Sequence, residues 1–133
     1  RWPLPVSEWL GWFGVLLSAL GLYVRVSAMR QLGARFSPLV ALQREHALET
    51  SGWYALVRHP GYLGAQLASY GAAITFGSAL ALPLALGMTC FQLVRVRREE
   101  ALLATHFGDE WRSYARQTPA LLPWPRPAAR GSA

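Results

Sequence analysis

The chain has 133 residues, 53% apolar and 15% charged, with 13 basic residues, all arginine, against 7 acidic ones for a formal net charge of +6. That length admits one domain, and a charged fraction well below the ~25% of soluble domains argues against an ordinary water-soluble globule. The single thiol, Cys90, excludes an internal disulfide framework and a cysteine-built zinc site, and no metal is expected.

The first element is an uncharged run between Glu8 and Arg25, with Trp9, Trp12 and Tyr23 near its ends as interfacial anchors. It reads as a membrane span over residues 9–25. A secretory signal is disfavoured, because there is neither a basic start nor a small-residue cleavage site. The first residue is Arg1 rather than Met, which suggests a start inside a longer protein, after one or two further helices. Residues 26–59 contain Gly33, Pro38 and the turn signal Thr50-Ser51-Gly52 among Phe36, Leu39, Val40, Trp53 and Tyr54, and read as a structured connector.

From Pro60 to Val94 there is no charged residue and no histidine in 35 positions. One helix of that length would run roughly 52 Å at about 1.5 Å per residue, against a hydrocarbon core of about 30 Å. The segment must therefore fold back, and Phe76-Gly77-Ser78 is the one turn-permitting cluster near its middle. Both legs of this 60–94 hairpin are rich in Gly, Ala and Ser, which lets helices approach closely in lipid. Residues 95–118 show apolar positions at helical spacing (Val96, Leu102, Leu103, Phe107, Trp111, Tyr114), so a cytoplasmic helix is expected there, weakened at Gly108 and ended by the prolines after 118. By composition it fits an element lying on lipid.

The fold expected is thus all-α and integral to the membrane: three spans including a helical hairpin, plus a cytoplasmic C-terminal helix and tail over 95–133. That arrangement puts twelve of the thirteen arginines on one face, with only Arg1 opposite. Positive residues mark the cytoplasmic side, so topology and anionic lipid account for the basic charge, and no nucleic-acid partner is expected.

Three local features point to chemistry. Arg58-His59-Pro60-Gly61-Tyr62 sets an imidazole and a phenol where the chain enters the bilayer; Glu99-Glu100 follows Arg95, Arg97 and Arg98; and His46, Thr50 and Tyr54 lie in a connector whose two ends return to the membrane. In order, His46-x-Leu48-x-x-x-Gly52, then Arg58-His59-Pro60-Gly61-Tyr62-Leu63-Gly64, an uncharged hairpin, Arg95-x-x-x-Glu99-Glu100, and Phe107-Gly108-Asp109-Glu110-Trp111 resemble the isoprenylcysteine carboxyl methyltransferases and related phospholipid methyltransferases. The resemblance runs from about residue 10 to 123. It implies a membrane enzyme moving a methyl group from S-adenosylmethionine to a lipid-like acceptor, either an isoprenylcysteine-type carboxylate or a phospholipid amine. Matching the motifs implies a cofactor role for His46, Leu48, Gly52, His59, Tyr62, Gly64 and Glu100, and a place at the reaction centre for Arg95 and Glu99. Glu49 and Trp53 depart from the pattern, where many relatives have an aliphatic residue and a proline.

No glycine-rich dinucleotide fingerprint is present. Membrane sterol reductases that use NADPH carry a similar His-Pro-x-Tyr-x-Gly stretch followed by an acid, where this chain has Ala65; a non-catalytic membrane scaffold is the other alternative. An arginine-only, alanine-rich sequence suggests a bacterial inner membrane, with the site facing the cytoplasm.

Overall fold

A computed structural model describes residues 8–32, 48 and 50–122. They form five helices and no strand: α1 (Glu8–Leu32), the single turn α2 (Trp53–Leu56), α3 (Pro60–Phe76), α4 (Ala81–Phe107) and α5 (Asp109–Gln117). Among them, α1 alone is long and apolar enough to cross a membrane on length and composition. It continues seven residues beyond the expected limit at 25, since nothing between Arg25 and Leu32 breaks a helix.

The helix α3 starts on Pro60, whose fixed φ and missing N–H suit a first helical position. It stops at the expected place, where Gly77 takes φ 54° and donates its N–H to the carbonyls of Ala73 and Ile74. Pro83 lies in the first turn of α4, where it breaks no helical hydrogen bond.

One expectation is corrected. The second leg of the hairpin and the helix expected to begin near 95 are one continuous helix, α4, which crosses Val94 and Arg95 unbroken and ends at Phe107. No glycine or proline stands between Gly87 and Gly108, so the change from apolar to charged sequence at Arg95 is not a structural break. The break comes at Gly108, with φ 58° and ψ −122°, a conformation side chains disfavour, and α5 follows as a separate element.

Two faces of α3 bind two neighbours by different means. Gly64, Ala68, Gly71 and Thr75, spaced four, three and four apart, face Gly14, Ser18 and Gly21 of α1 so closely that a Cβ on Gly64 would sit 2.5 Å from the Gly21 carbonyl oxygen. Ser18 Oγ donates to the Ala68 carbonyl at 3.1 Å, and Arg25 Nη1 to the Gly61 carbonyl at 3.1 Å. The face carrying Tyr62, Gln66 and Tyr70 meets α4 through polar side chains. The helix α5 turns its apolar side inward: Trp111 and Tyr114 are buried, and Tyr114 Oη donates to the Tyr54 carbonyl. Its aromatic side is thus spent inside the protein, unlike that of a helix lying on lipid.

Candidate active site

The segment between α2 and α3 is tied down before any side chain is considered. The backbone N–H of Arg58 donates to the Pro119 carbonyl at 2.9 Å and that of His59 to the Ala120 carbonyl at 3.0 Å. Val57 and Pro60 on either side are fully buried. Arg58 lies 5.7 Å from the Trp111 ring centre, a cation–π contact that orients its guanidinium.

On this frame His59, Tyr62, Arg95, Glu99 and Glu100 meet. His59, 6% exposed, places Nε2 2.9 Å from Glu100 Oε1, and Nδ1 lies 3.9 Å from Glu99 Oε2. Tyr62 Oη donates to Glu99 Oε1 at 2.5 Å. Arg95 Nη2 lies 3.8 Å from that same Glu99 oxygen, and its guanidinium carbon 5.7 Å from the centre of the Tyr62 ring. Arg58 Nη2 reaches Glu100 Oε1 at 3.3 Å. The spacing explains the meeting: Glu99 is one helical turn beyond Arg95, and Tyr62 is three residues beyond His59, so each pair shares a face.

The electrostatics are asymmetric. Partial burial raises the Glu100 carboxyl, but the hydrogen bond from His59 and the charges of Arg58 and His59 outweigh it and hold the group below its ordinary value of 4.5. Glu100 is therefore an anion at neutral pH, committed to the imidazole and a guanidinium. Glu99 faces the phenol and Arg95. The arrangement offers two adjacent carboxylates, an aromatic face and guanidinium groups at one point, a set able to take a ligand that carries both signs of charge.

The other expected residues lie elsewhere. Gly64 faces α1, where the backbone of Gly21 and Arg25 leaves no room for a side chain. Gly52 sits against Gln31, whose amide accepts from the Trp53 N–H at 3.0 Å and donates to the Ser51 carbonyl. Leu48 is half-buried, and His46 lies outside the described residues. Sequence reasoning missed Arg58 as the partner of Glu100, although its place as the last charge before the uncharged run was the available signal. It also missed Gln66, Tyr70, Thr89 and Gln92, polar positions at helical spacing inside an otherwise apolar hairpin.

Residues 9–110 match the family described as phospholipid methyltransferase, and these residues contain the whole polar cluster. The chain belongs to that family. Similar proteins include the protein-S-isoprenylcysteine O-methyltransferase of Schizosaccharomyces pombe, 39% identical over 107 residues that cover 78% of this chain and 45% of the relative. The human protein of the same name is 33% identical over 127 residues, covering 92% and 45% respectively. The solved structure of the eukaryotic intramembrane Ras methyltransferase ICMT superposes with a TM-score of 0.80 at 32% identity, over 88% of this chain and 43% of that one. The chain therefore spans less than half the length of these relatives. Family membership agrees with the resemblance carried by the motifs, and the helical architecture agrees with that of the solved methyltransferase.

Proposed function

We propose that the protein is an integral-membrane methyltransferase that moves a methyl group from S-adenosylmethionine to a lipid-like acceptor, a carboxylate of the isoprenylcysteine type or a phospholipid amine. The observation that carries this reading is the convergence of His59 and Tyr62 on Glu100 and Glu99 beside Arg95. The names of the relatives, protein-S-isoprenylcysteine O-methyltransferases, support the reaction class.

The chemistry of the cluster fits the cofactor. S-adenosylmethionine carries a sulfonium, an ammonium and a carboxylate, and supplies an already activated methyl group when bound. Glu99 and Glu100 provide anionic acceptors for the two cations, the Tyr62 ring an electron-rich face, and His59 or a guanidinium a donor for the carboxylate. His46, Leu48 and Gly52 would complete the cofactor site from the connector, with Gly64 acting through the close seating of α3 on α1. The protein's task is then alignment and exclusion of water, effects worth up to ~7 to 11 kcal/mol in the best-oriented cases. A carboxylate acceptor is already ionised, and Arg95 holds it by two parallel hydrogen bonds. An amine acceptor must lose a proton, and in this reading Glu99 takes it.

In this reading α1, α3 and the first half of α4 span the membrane within one domain, and the part of α4 from Arg95 onward stands with α5 on the cytoplasmic side. The distribution of arginines supports a cytoplasmic site, and the arginine-only, alanine-rich composition supports a bacterial inner membrane. Labelled-methyl transfer by the purified protein to extracted membrane lipids and to farnesylated cysteine analogues, followed by mass spectrometry of the product, tests the proposal. Transfer that disappears in Glu100→Gln and Arg95→Ala is the expected result. Binding of NADPH in place of S-adenosylhomocysteine, or S-adenosylhomocysteine binding unchanged by Glu100→Gln, would overturn it.

A further inference from the structure

The extension of α1 beyond Arg25 stays buried along one side, at Ala28 and Leu32. From its last turn Gln31 reaches the connector with both ends of its amide: Nε2 donates to the Ser51 carbonyl, and Oε1 accepts from the Trp53 N–H at 3.0 Å. Between these two groups lies Gly52, with φ 59° and ψ −125°, and the Tyr54 N–H closes the turn on the Ser51 carbonyl at 3.0 Å. This is the geometry of a type II′ turn, whose first central position needs a positive φ and hence glycine. A Cβ on Gly52 would also lie 2.6 Å from Gln31 Oε1 and 2.7 Å from its Nε2. Turn and amide therefore fit one another as a pair.

The turn opens the stretch that leads to the carboxylate cluster, since His59 follows Gly52 by seven residues. Along that stretch the backbone is held from outside: the Tyr54 carbonyl by Tyr114 Oη, and the N–H groups of Arg58 and His59 by the carbonyls of Pro119 and Ala120. Just beyond, Arg25 Nη1 holds the Gly61 carbonyl. At the Gly52 end the hold is the Gln31 amide. Glycine has the widest backbone freedom of any residue, so a turn built on it keeps one shape only when its surroundings set that shape. Backbone conformations closed to other residues gather at ligand sites, where neighbouring structure maintains them, and Gly52 is one of the positions matched to the cofactor motif.

We propose that Gln31 is a positioning residue for the methyl donor: it fixes the Gly52 turn, and through that turn the wall of the cofactor site that the connector supplies. The inference rests on the methyltransferase reading. Gln31 stands six residues past Arg25, about 9 Å along the axis at ~1.5 Å per residue. That places it outside the expected span, on the side from which a charged cofactor arrives rather than an apolar acceptor. With the amide removed, the turn takes its binding shape only part of the time, and the apparent dissociation constant rises by the inverse of that fraction. Once the cofactor is bound the turn is in place, so the chemical step keeps its rate. The loss therefore falls on donor affinity alone.

The full chain in lipid nanodiscs is titrated with S-adenosylhomocysteine by calorimetry, which gives the dissociation constant and the binding stoichiometry separately. No binding by the wild type would overturn the methyltransferase reading itself, and this inference with it. Gln31→Met, similar in shape but without the polar ends, should raise the dissociation constant about tenfold at unchanged stoichiometry. A merely structural role would lower the stoichiometry and leave the constant in place. Gly52→Ala should weaken binding as well, and because both changes act on one turn, the double variant should bind no more weakly than the weaker single one. With a farnesylated cysteine analogue or phosphatidylethanolamine, whichever the wild type methylates, Gln31→Met should raise KM for S-adenosylmethionine and leave kcat and the acceptor KM within about twofold. Gln31→Glu, which sets an anion against the Ser51 carbonyl, should show the same loss of affinity and stands in should the first variant fail to fold. Wild-type binding together with an unchanged dissociation constant in both Gln31 variants, a fall in stoichiometry alone, or single losses that multiply in the double variant would overturn the inference and leave the methyltransferase reading intact.

Discussion

Glu100 is the residue on which three functions of the site converge: it fixes the His59 ring, neutralises Arg58 and contributes one of two adjacent anions. Glu100→Gln keeps the shape, removes the charge and leaves a buried imidazole and guanidinium without their anion. A charge-assisted hydrogen bond is worth about 1.5 to 3 kcal/mol, so S-adenosylhomocysteine affinity should fall roughly 10- to 100-fold by calorimetry. The same residue sets an acid limit on stability. Its folded value lies below the ordinary 4.5, so the unfolded chain binds the proton more readily; the stabilisation is fully present above 4.5 and is lost as pH falls through the lowered value. Unfolding midpoints of wild type and Glu100→Gln, measured as pH is lowered, should therefore converge. Tyr62 and Tyr70 provide a paired comparison: Tyr62 meets Glu99, while Tyr70 meets Thr89 two turns further along α3. Tyr62→Ala should weaken S-adenosylhomocysteine binding and Tyr70→Ala should not; equal dissociation constants would remove Tyr62 from the cofactor site.

At the scale of the element, α3 is the shared partner, and its two faces fail differently when altered. A leucine at Gly21 would drive Cβ to 2.5 Å from the Gly64 carbonyl oxygen, a backbone atom that cannot move aside. Overpacking of this kind costs about 3 kcal/mol, visible as a fall in the unfolding midpoint in detergent. Gly11→Leu on the same helix has nothing within 4 Å and should leave the midpoint in place. The sequence made these helices legible to different degrees. The turn at Gly77 followed from residue type. The wealth of small residues announced close helix approach without saying between which helices: Gly64 and Gly71 of α3 turn to α1, while Gly87 of α4 has nothing within 4 Å. The continuity of α4 did not, because the eye stops where charge begins at Arg95, whereas a helix ends only where capping or backbone chemistry ends it, here at Gly108. Gly64 was legible as a motif position but not as a packing position, since only the approach of α1 shows which side of α3 it occupies.

For the molecule as a whole, the motif order carried the site further than pattern alone could. His59, Tyr62, Arg95, Glu99 and Glu100 are gathered as the resemblance implied, and the pairing of each acid with its own partner emerged only in three dimensions. Arg58 was visible as the last charge before the uncharged run, but nothing local shows that its partner is Glu100, 42 residues on. The topology has its own test. In a Cys90→Ser background, a cysteine replacing Ser78 in the hairpin turn should react with an impermeant thiol reagent only from the side opposite the arginines; labelling from the arginine-bearing side would invert the arrangement. The bonds from Arg58 and His59 to the carbonyls of Pro119 and Ala120 reach 61 positions downstream. A ribosome must therefore deliver α3, α4 and α5 before these two backbone bonds can close, so the stretch of chain that bears the imidazole stays unlatched until the last helix has emerged.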